Sequence, residues 1–430
     1  MPTDPPSAPV TPLPSGVQNA TPSAAEDRGQ TAPPGAPATN RNVVALGFTS
    51  LLTDVSTEMI IPVLPAFVTG TLRASVASLG VIEGVAECTA TVLRIFSGLL
   101  SDRIGRRKPF MMFGYGLSTA AKGAMALAAS WQAVLGLRFS DRVGKGLRNP
   151  PRDALIADSV TPAQIGRAFG LHRAMDTLGA ALGPLAAFAL LRAHPNDLRR
   201  IFAFATVPAA LGLVVLALFV RAPRAASRRS SATLRAELGS LGAPVYKFLA
   251  VAVVFSLGGS SMAFVLLRAG QAFGATQVPL VYTLYNVVYA ALSWPLGTLS
   301  DRVGRRPLLL AAYLSFAACY ALLAWKATPL AILAAFAGLG VHSALLEGTQ
   351  RSMLADLVGA GRRGTGYGLY YAAVGVALLP ASILAGWLWD HFGPPVTFGV
   401  GAALALLAAL LFATLLPSRN EHVDRHAHPA

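Results

Sequence analysis

The segment Gly98-Leu-Leu-Ser-Asp-Arg-Ile-Gly-Arg-Arg-Lys108 recurs 199 residues later as Gly297-Thr-Leu-Ser-Asp-Arg-Val-Gly-Arg-Arg-Pro307. Each copy separates two long apolar segments, and the spacing is close to half of the 430-residue chain. Asp158 and Asp356 repeat with nearly the same spacing, 198 residues. A repeat of this length predicts two structurally similar halves joined end to end.

The composition indicates a helical membrane protein. Hydrophobic residues make up 54% of the chain and charged residues 13%, whereas a soluble domain carries about 25% charged residues. Apolar stretches of about 20 residues follow one another, which is the length of a membrane-spanning helix. Backbone polar groups must be paired in lipid, and these stretches are too long for barrel strands. We therefore predict an all-α integral membrane fold with twelve transmembrane helices in two pseudo-symmetric six-helix bundles.

The polar breaks predict the boundaries of the helices and of larger units. Helices are expected at 43–69, 78–100, 109–129, 132–155, 165–190, 200–220, 245–269, 278–299, 307–326, 328–355, 364–387 and 396–416. These divide the chain into a disordered tail (1–42), an N-terminal bundle (43–220), a linker (221–244), a C-terminal bundle (245–416) and a second tail (417–430). Arginines concentrate in alternate connections, so both termini are expected in the cytoplasm, with the protein in a bacterial inner membrane.

Other classes of protein fit the chain less well. The net charge of +15 is distributed over alternate short loops, which argues against nucleic-acid binding. Cys88 and Cys319 lie in apolar segments and form no disulfide framework. No nucleophile with a base and no metal-binding cluster is evident at membrane depth, since His172 and His342 lie in separate halves. We expect no enzyme, no cofactor and no metal site.

The duplicated loops carry a resemblance to a known family. The order Gly-x-x-x-Asp-Arg-x-Gly-Arg-Arg between helices two and three resembles the signature loop of the major facilitator superfamily, and here it occurs in both halves. The resemblance covers about residues 43–416 and implies that the loops latch a cytoplasmic gate. The implied gate residues are Gly98, Asp102, Arg103, Gly105 and Arg106, and Gly297, Asp301, Arg302, Gly304 and Arg305.

Further phrases narrow the resemblance. The Gly179–Pro184 segment looks like a motif of superfamily antiporters, and Arg138 matches the family's fourth-helix arginine. Asp141 and Arg142 depart from the drug-exporter pattern. Thr53-Asp-Val-Ser-Thr-Glu-Met59 and Gly144-Lys-Gly-Leu-Arg148 look like a prokaryotic subgroup of uncertain substrate, which includes permeases for carboxylate siderophores.

Ionisable residues inside the predicted helices concentrate in the first half. A charge at the bilayer centre costs about 2.5–3.5 kcal/mol, so each such residue is a candidate functional group or half of a structural pair. Asp54 and Glu58 lie four residues apart on one face of helix one, and they are expected to carry protons or substrate with Arg138 or Arg142 as counter-charge. The full set of predicted coupling residues is Asp54, Glu58, Glu83, Glu87, Arg94, Arg138, Asp141, Arg142 and Asp176.

The second half has fewer charges and more tyrosines. Amphipathic aromatic side chains are suitable walls for a cavity that holds an organic solute. The predicted cavity residues there are Tyr282, Tyr285, Asn286, Tyr289, His342, Glu347, Arg351 and Tyr370. An aromatic stripe of this kind is more often packing than ligand contact. Glu347 and Arg351 lie four residues apart and are able to pair within their helix.

These patterns predict a secondary active transporter that works by alternating access and is coupled to protons. The bases on helix four favour a small anionic or zwitterionic organic solute, such as a carboxylate metabolite or a siderophore. The alternative is a drug/proton antiporter that exports cationic or amphipathic compounds. The expected partners are the solute, protons and the lipid bilayer, with no nucleic acid, and the protein is expected to be a monomer.

Overall fold

The computed structural model describes residues 38–104, 106–161, 164–221, 241–358 and 363–416. The predicted C-terminal tail and most of the predicted N-terminal tail and linker lie outside these residues, but residues 38–42, expected in the disordered tail, are helical. Within them the chain is helical apart from short connections, and it contains no strand. Eight helical segments of this described part are long and apolar enough to cross a membrane.

The first half of the chain forms six helices. They are α1 (Ala38–Ile60), α2 (Val76–Ile104), α3 (Arg107–Met125), α4 (Trp131–Asp158), α5 (Ile165–Ala193) and α6 (Leu198–Phe219). A short helix, Leu64–Ala66, and a π-helical turn, Phe67–Thr71, continue α1.

The second half repeats this order. α7 consists of Ala243–Gly258 and its continuation Met262–Phe273, and it is followed by α8 (Val278–Val303), α9 (Arg305–Trp325) and α10 (Pro329–Val358). The final helical segment, Arg363–Leu415, is broken at Gly393, where φ is +80°. We call the part before Gly393 α11 and the part after it α12.

The structure corrects three predicted helix boundaries. Continuous helices were expected at 43–69 and 245–269, but both are interrupted. The first break includes Pro62, which has no N–H to donate to the preceding turn, and the second spans residues 259–261. The loop expected at 388–395 is helical except at Gly393.

The two duplicated connections bind the ends of neighbouring helices in matching ways. Arg107 forms an ion pair with Asp158 at the end of α4, and Lys108 Nζ donates to the carbonyls of Ala217 and Val220 at 2.8 and 2.7 Å. In the second half Arg305 pairs with Asp356 at the end of α10, and Arg306 donates to a carbonyl of α12 at 2.7 Å. The connection thus ties α3 to α4 and α6, and α9 to α10 and α12.

The residues that make these contacts lie 198 residues apart in the two halves, whereas the loop sequences align at a spacing of 199 residues. The first connection has two residues between its helices, and the second has only Gly304, which adopts φ +94°. Asp301, an expected latch, is 72% exposed and lies 3.8 Å from Arg305. Gly98, Asp102, Arg103 and Gly105 lie outside the part of the chain whose side chains are described. Arg106 is exposed at the start of α3, and Gly297 and Arg302 occupy the loop-proximal part of α8.

Glycines of α5 allow it to lie directly against the acidic face of α1. A Cβ atom on Gly183 would stand 2.6 Å from Glu58 Cβ and 2.7 Å from the Val55 carbonyl oxygen. A Cβ on Gly179 would stand 2.7 Å from the Leu51 carbonyl oxygen. The motif that resembles an antiporter signature therefore sets the position of the helix that carries Asp54 and Glu58.

We expect Gly183→Ala to destabilise the protein by about 1–3 kcal/mol, because the added methyl group would overpack a backbone contact. Gly170→Ala in the same helix is the matched control, since nothing lies within 4 Å of its Cβ position. It should be neutral or stabilise the helix by up to about 1 kcal/mol. Thermal unfolding of the purified variants measures both effects, and equal midpoints would contradict the packing argument.

Candidate functional site

A cavity of about 1680 Å³ lies between the two halves. Its walls come from α1 to α5 of the first half and from α8, α10 and α11 of the second. No described residue of α7 lines it. Ten of the predicted site residues do: Asp54, Glu58, Arg94, Asp176, Tyr282, Tyr285, Asn286, Tyr289, Glu347 and Arg351.

The acidic face of α1 forms part of the cavity wall. Glu58 is hydrogen-bonded to Tyr282 of α8, so this contact joins the two halves. The second oxygen of Glu58 is buried and has no hydrogen-bond partner among the described residues. Asp54 interacts electrostatically with Asp176 of α5 and with Lys145 and Arg148 of α4.

The expected counter-charges of Asp54 and Glu58 form ion pairs with other carboxylates. Arg138 donates to Glu83 Oε1 through two nitrogens, at 3.2 and 2.7 Å, and lies 3.6 Å from Asp141. Arg142 pairs with Glu87 at 3.3 Å and also interacts electrostatically with Glu58. None of the five side chains in these ion pairs lines the cavity. The structure thus assembles them as ion pairs between α2 and α4, while Lys145 and Arg148 face α1.

The polar stripe on α4 explains both sets of contacts. Arg138, Asp141, Lys145 and Arg148 follow one another at intervals of three or four residues, so they lie along one face of α4. Its first part is buried, where the Ser118 hydroxyl of α3 donates to Asp141. Its second part opens on the cavity. The sequence indicates the stripe, but not the position at which it leaves the protein interior.

Three tyrosines of α8 form a stack beside the cavity. The rings of Tyr282 and Tyr285 have centroids 5.7 Å apart and an interplanar angle of 9°, and those of Tyr285 and Tyr289 are 6.3 Å apart at 10°. The Tyr289 hydroxyl donates to Glu347 of α10. Asn286 donates to the Ala180 carbonyl of α5 at 3.0 Å. The same helix therefore lines the cavity and contacts the first half.

Glu347 connects several helices at the cavity wall. It accepts from Arg351 at 2.6 Å, within α10, as the spacing of four residues predicted. Arg173 of α5 reaches it across the cavity at 3.3 Å and also donates to Tyr289 at 2.5 Å. Arg173 was not among the predicted site residues, although its position within a membrane helix was a signal.

Two predicted cavity residues lie elsewhere. His342 is buried, with Nδ1 2.7 Å from the Ala312 carbonyl oxygen and its ring against Phe316. Tyr370 is 8% exposed and stacks on Phe248 in the core of the second half. Its neighbour Tyr371 lines the cavity instead. Successive residues of a helix point about 100° apart, and the sequence did not indicate which of them faces inward.

Other cavity residues were missed as site candidates. They are Lys145, Arg148, Arg152, Asp153 and His172. His172 lies 3.4 Å from Asp176, four residues further along α5. Among the described residues, no group of three His, Cys, Asp or Glu side chains is placed to hold a metal ion.

The cavity extends toward one end of the bundle and is closed at the other. We call the end that carries residues 104–107 and 303–305 the loop end, and the opposite end the far end. Asp153 and Arg351, near the loop end of their helices, still line the cavity. At the far end, Asp390 of α11 accepts from the backbone N–H groups of Val76 and Ala77 at 3.0 and 2.7 Å. This carboxylate caps the start of α2 from the other half.

Asp390→Ala should weaken far-end closure, because an N-cap contributes about 0.5–2 kcal/mol. That energy corresponds to a shift of about 2- to 30-fold toward a conformation with the far end open. Spin labels at Thr71→Cys and Ala275→Cys, in a background with Cys88→Ala and Cys319→Ala, would report the change as a longer distance.

Asp197→Ala is the matched control for Asp390→Ala. Asp197 caps α6 at 3.2 Å within the first half, so its loss costs a similar energy without crossing between halves. An equal distance change in both variants would contradict the role of Asp390.

Comparison with known proteins bears on the whole chain. The Major Facilitator Superfamily model matches residues 46–266 and 248–429. An uncharacterized MFS-type transporter of Methanocaldococcus jannaschii is 34% identical over 379 residues, which cover 86% of this chain and 94% of that protein. Multidrug resistance protein MdtG of Proteus mirabilis is 32% identical over 149 residues, covering 34% of this chain and 37% of that protein.

The fold also matches a solved structure. A crystal structure of the nucleoside transporter NupG superposes with a TM-score of 0.77 at 12% sequence identity. The match covers 87% of this chain and 100% of the NupG chain. The likeness at this identity concerns the fold alone. It confirms the predicted all-α membrane architecture.

Proposed function

Because the chain belongs to the major facilitator superfamily, and is thus a multi-pass membrane transporter, we propose that it moves a small organic anion or zwitterion coupled to protons. The observation that carries this proposal is the cavity between the halves, in which Asp54 and Glu58 of α1 face Lys145 and Arg148 of α4. A carboxylate metabolite or a carboxylate siderophore has the matching charge.

Proton coupling in this proposal depends on Asp54 and Glu58. The proton affinity of a carboxyl group changes with the charges and the water around it. A transporter that alternates between two conformations changes those surroundings, so a cavity carboxylate can take up a proton on one side and release it on the other. Asp176, which interacts with Asp54, belongs to the same group. Glu83, Glu87, Arg138, Asp141 and Arg142 support it as ion pairs.

The bundles 43–220 and 245–416, joined by the linker 221–244, would rock against each other around the cavity. The basic residues at the loop end favour a cytoplasmic location for that end in a bacterial inner membrane, with both termini on the same side. The cavity would then face the cytoplasm. The ion pairs of Arg107 with Asp158 and Arg305 with Asp356 would brace the cytoplasmic gate, with Asp301 as a weaker contributor.

A second candidate function is export of cationic or amphipathic drugs against protons. The likeness to MdtG over part of the chain and the tyrosine stack next to Glu347 favour it. The cations that line the cavity oppose it, since they would repel a cationic drug.

Uptake into proteoliposomes tests the proposal. Purified protein would be reconstituted with an enclosed pH-sensitive dye, and a proton gradient of either direction imposed in the presence of citrate, succinate, amino acids or lipophilic cations. Solute-dependent proton movement with an anion or a zwitterion, absent from protein-free liposomes, is expected. Movement only with lipophilic cations would favour the drug antiporter, and accumulation that ignores the gradient would contradict proton coupling.

A further inference from the structure

Four hydrogen-bond donors in the cavity lack an acceptor within the described chain. They belong to Arg94 of α2, Tyr115 of α3 and Arg148 of α4, which line the cavity together with Lys145 of α4. The Nε atoms of Arg94 and Arg148, one terminal nitrogen of Arg148 and the Tyr115 hydroxyl are buried without a partner there. Arg148 is 5% exposed and Tyr115 is 2% exposed.

These donors lie close together. The guanidinium carbon of Arg148 stands 4.4 Å from the ring centroid of Tyr115. Lys145 interacts electrostatically with Arg94, and both Lys145 and Arg148 interact with Asp54. Three helices of the first half thus direct their polar groups to one part of the cavity wall.

The other arginines of the cavity are bound by acceptors. Arg152 donates to Asp153 at 2.9 Å and to Ser50 at 3.2 Å. Arg351 and Arg173 share Glu347. Arg94 and Arg148 therefore differ from these arginines in their unpaired donor atoms, although Glu58, His172 and Asp176 of the wall also have a buried polar atom without a partner among the described residues.

Leaving buried donors unpaired costs about 1–3 kcal/mol per group, and more for charged groups, so such groups indicate a role. We propose that Arg94, Tyr115, Lys145 and Arg148 form a subsite for an oxyanionic group of the solute with two or more negative charges. This inference rests on the proposed function and adds to it the location and the charge of the recognised group.

The charge of the solute follows from the unpaired donors. Asp54 interacts with Lys145 and Arg148, and Glu58 also interacts with Lys145. Asp153 and Glu87 interact with Arg94, but they are paired with Arg152 and Arg142. The four donor atoms of Arg94, Tyr115 and Arg148 still have no acceptor among the described residues. A dianion with two carboxylates brings twice as many acceptor oxygens to these donors as a monoanion does.

Binding of citrate, succinate and acetate to the purified full-length protein tests this subsite. Calorimetric titrations at constant ionic strength and neutral pH should give tighter binding for citrate and succinate than for acetate. Arg148→Gln, Lys145→Gln and Tyr115→Phe should each weaken binding of the dianion by about 10- to 100-fold, because each removes a donor to a charged group.

Control variants separate recognition from folding. Lys145→Arg keeps the charge and should bind within a few-fold of the parent protein. Arg192→Gln removes an exposed arginine at the far end of α5 and should leave binding unchanged. Unchanged affinity in the three subsite variants, or no binding of any of the three acids to the folded parent protein, would overturn the proposal.

Transport measurements distinguish this proposal from the proposed function. If an anion is driven by the proton gradient with the same KM in the parent protein and in Tyr115→Phe, the subsite is wrong and the function stands. If citrate binding depends on the three substituted residues but no solute is accumulated, the subsite stands and the transport proposal fails.

Discussion

Asp54→Asn should lower proton-driven accumulation of the transported solute by about a hundredfold under a gradient of two pH units. Each coupled proton contributes about 1.4 kcal/mol per pH unit, which is a tenfold concentration ratio, so loss of one proton removes two such factors. Asparagine keeps the size of the side chain but carries no exchangeable carboxyl proton. The measurement is the ratio of internal to external solute in proteoliposomes at steady state.

Exchange without a gradient should persist in Asp54→Asn, because the cavity and its other polar groups remain. Asp153→Asn provides the matched control, since Asp153 also lines the cavity but is 47% exposed and pairs with its neighbour Arg152. Its accumulation ratio should stay close to that of the parent protein. An unchanged ratio in Asp54→Asn would exclude Asp54 as a proton carrier.

Glu83→Ala should destabilise the protein by about 3–5 kcal/mol, because it leaves a buried arginine without its main partner. Glu83 Oε1 accepts both contacts from Arg138, and Oε2 accepts from the Ser261 hydroxyl at 3.1 Å. Arg138 is 2% exposed and would retain only Asp141, at 3.6 Å. Chemical unfolding of the purified protein in detergent measures the change.

Glu347→Ala removes a carboxylate that also pairs with arginines, but its side chain is 36% exposed. Ion pairs in contact with water contribute about 0–1 kcal/mol, so this variant should unfold close to the parent protein. A similar loss of stability in both variants would show that burial does not govern the strength of these pairs. Ser261 lies in the break of α7, so Glu83→Ala should also loosen the contact between the halves.

The sequence predicted the features that depend on local pattern. Runs of apolar residues of the length of a bilayer predict helices, and the duplicated loop predicts two related halves, because both signals are carried by neighbouring residues. The spacing of Glu347 and Arg351 predicted their ion pair, because residues four apart share a helix face. Asp54 and Glu58 were placed on one face by the same argument.

Pairings between helices required the tertiary structure. The sequence predicted Arg138 and Arg142 as counter-charges for Asp54 and Glu58. Because α2 packs against α4, their ion pairs are instead with Glu83 and Glu87. A side chain pairs with the charge that lies within a few ångströms, and that distance depends on how helices far apart in sequence rotate and cross.

The duplicated loops show the same division. Their sequences predicted the repeat, the basic end of the bundle and the family likeness. Only the folded chain shows that Arg107 binds Asp158 while Arg305 binds Asp356, one residue out of register with the loop alignment. The second connection is one residue shorter. The aspartate therefore pairs with the second arginine of the Arg-Arg sequence in the first half and with the first arginine in the second half. Helix packing, not the order of residues in the loop, decides which charge reaches the aspartate.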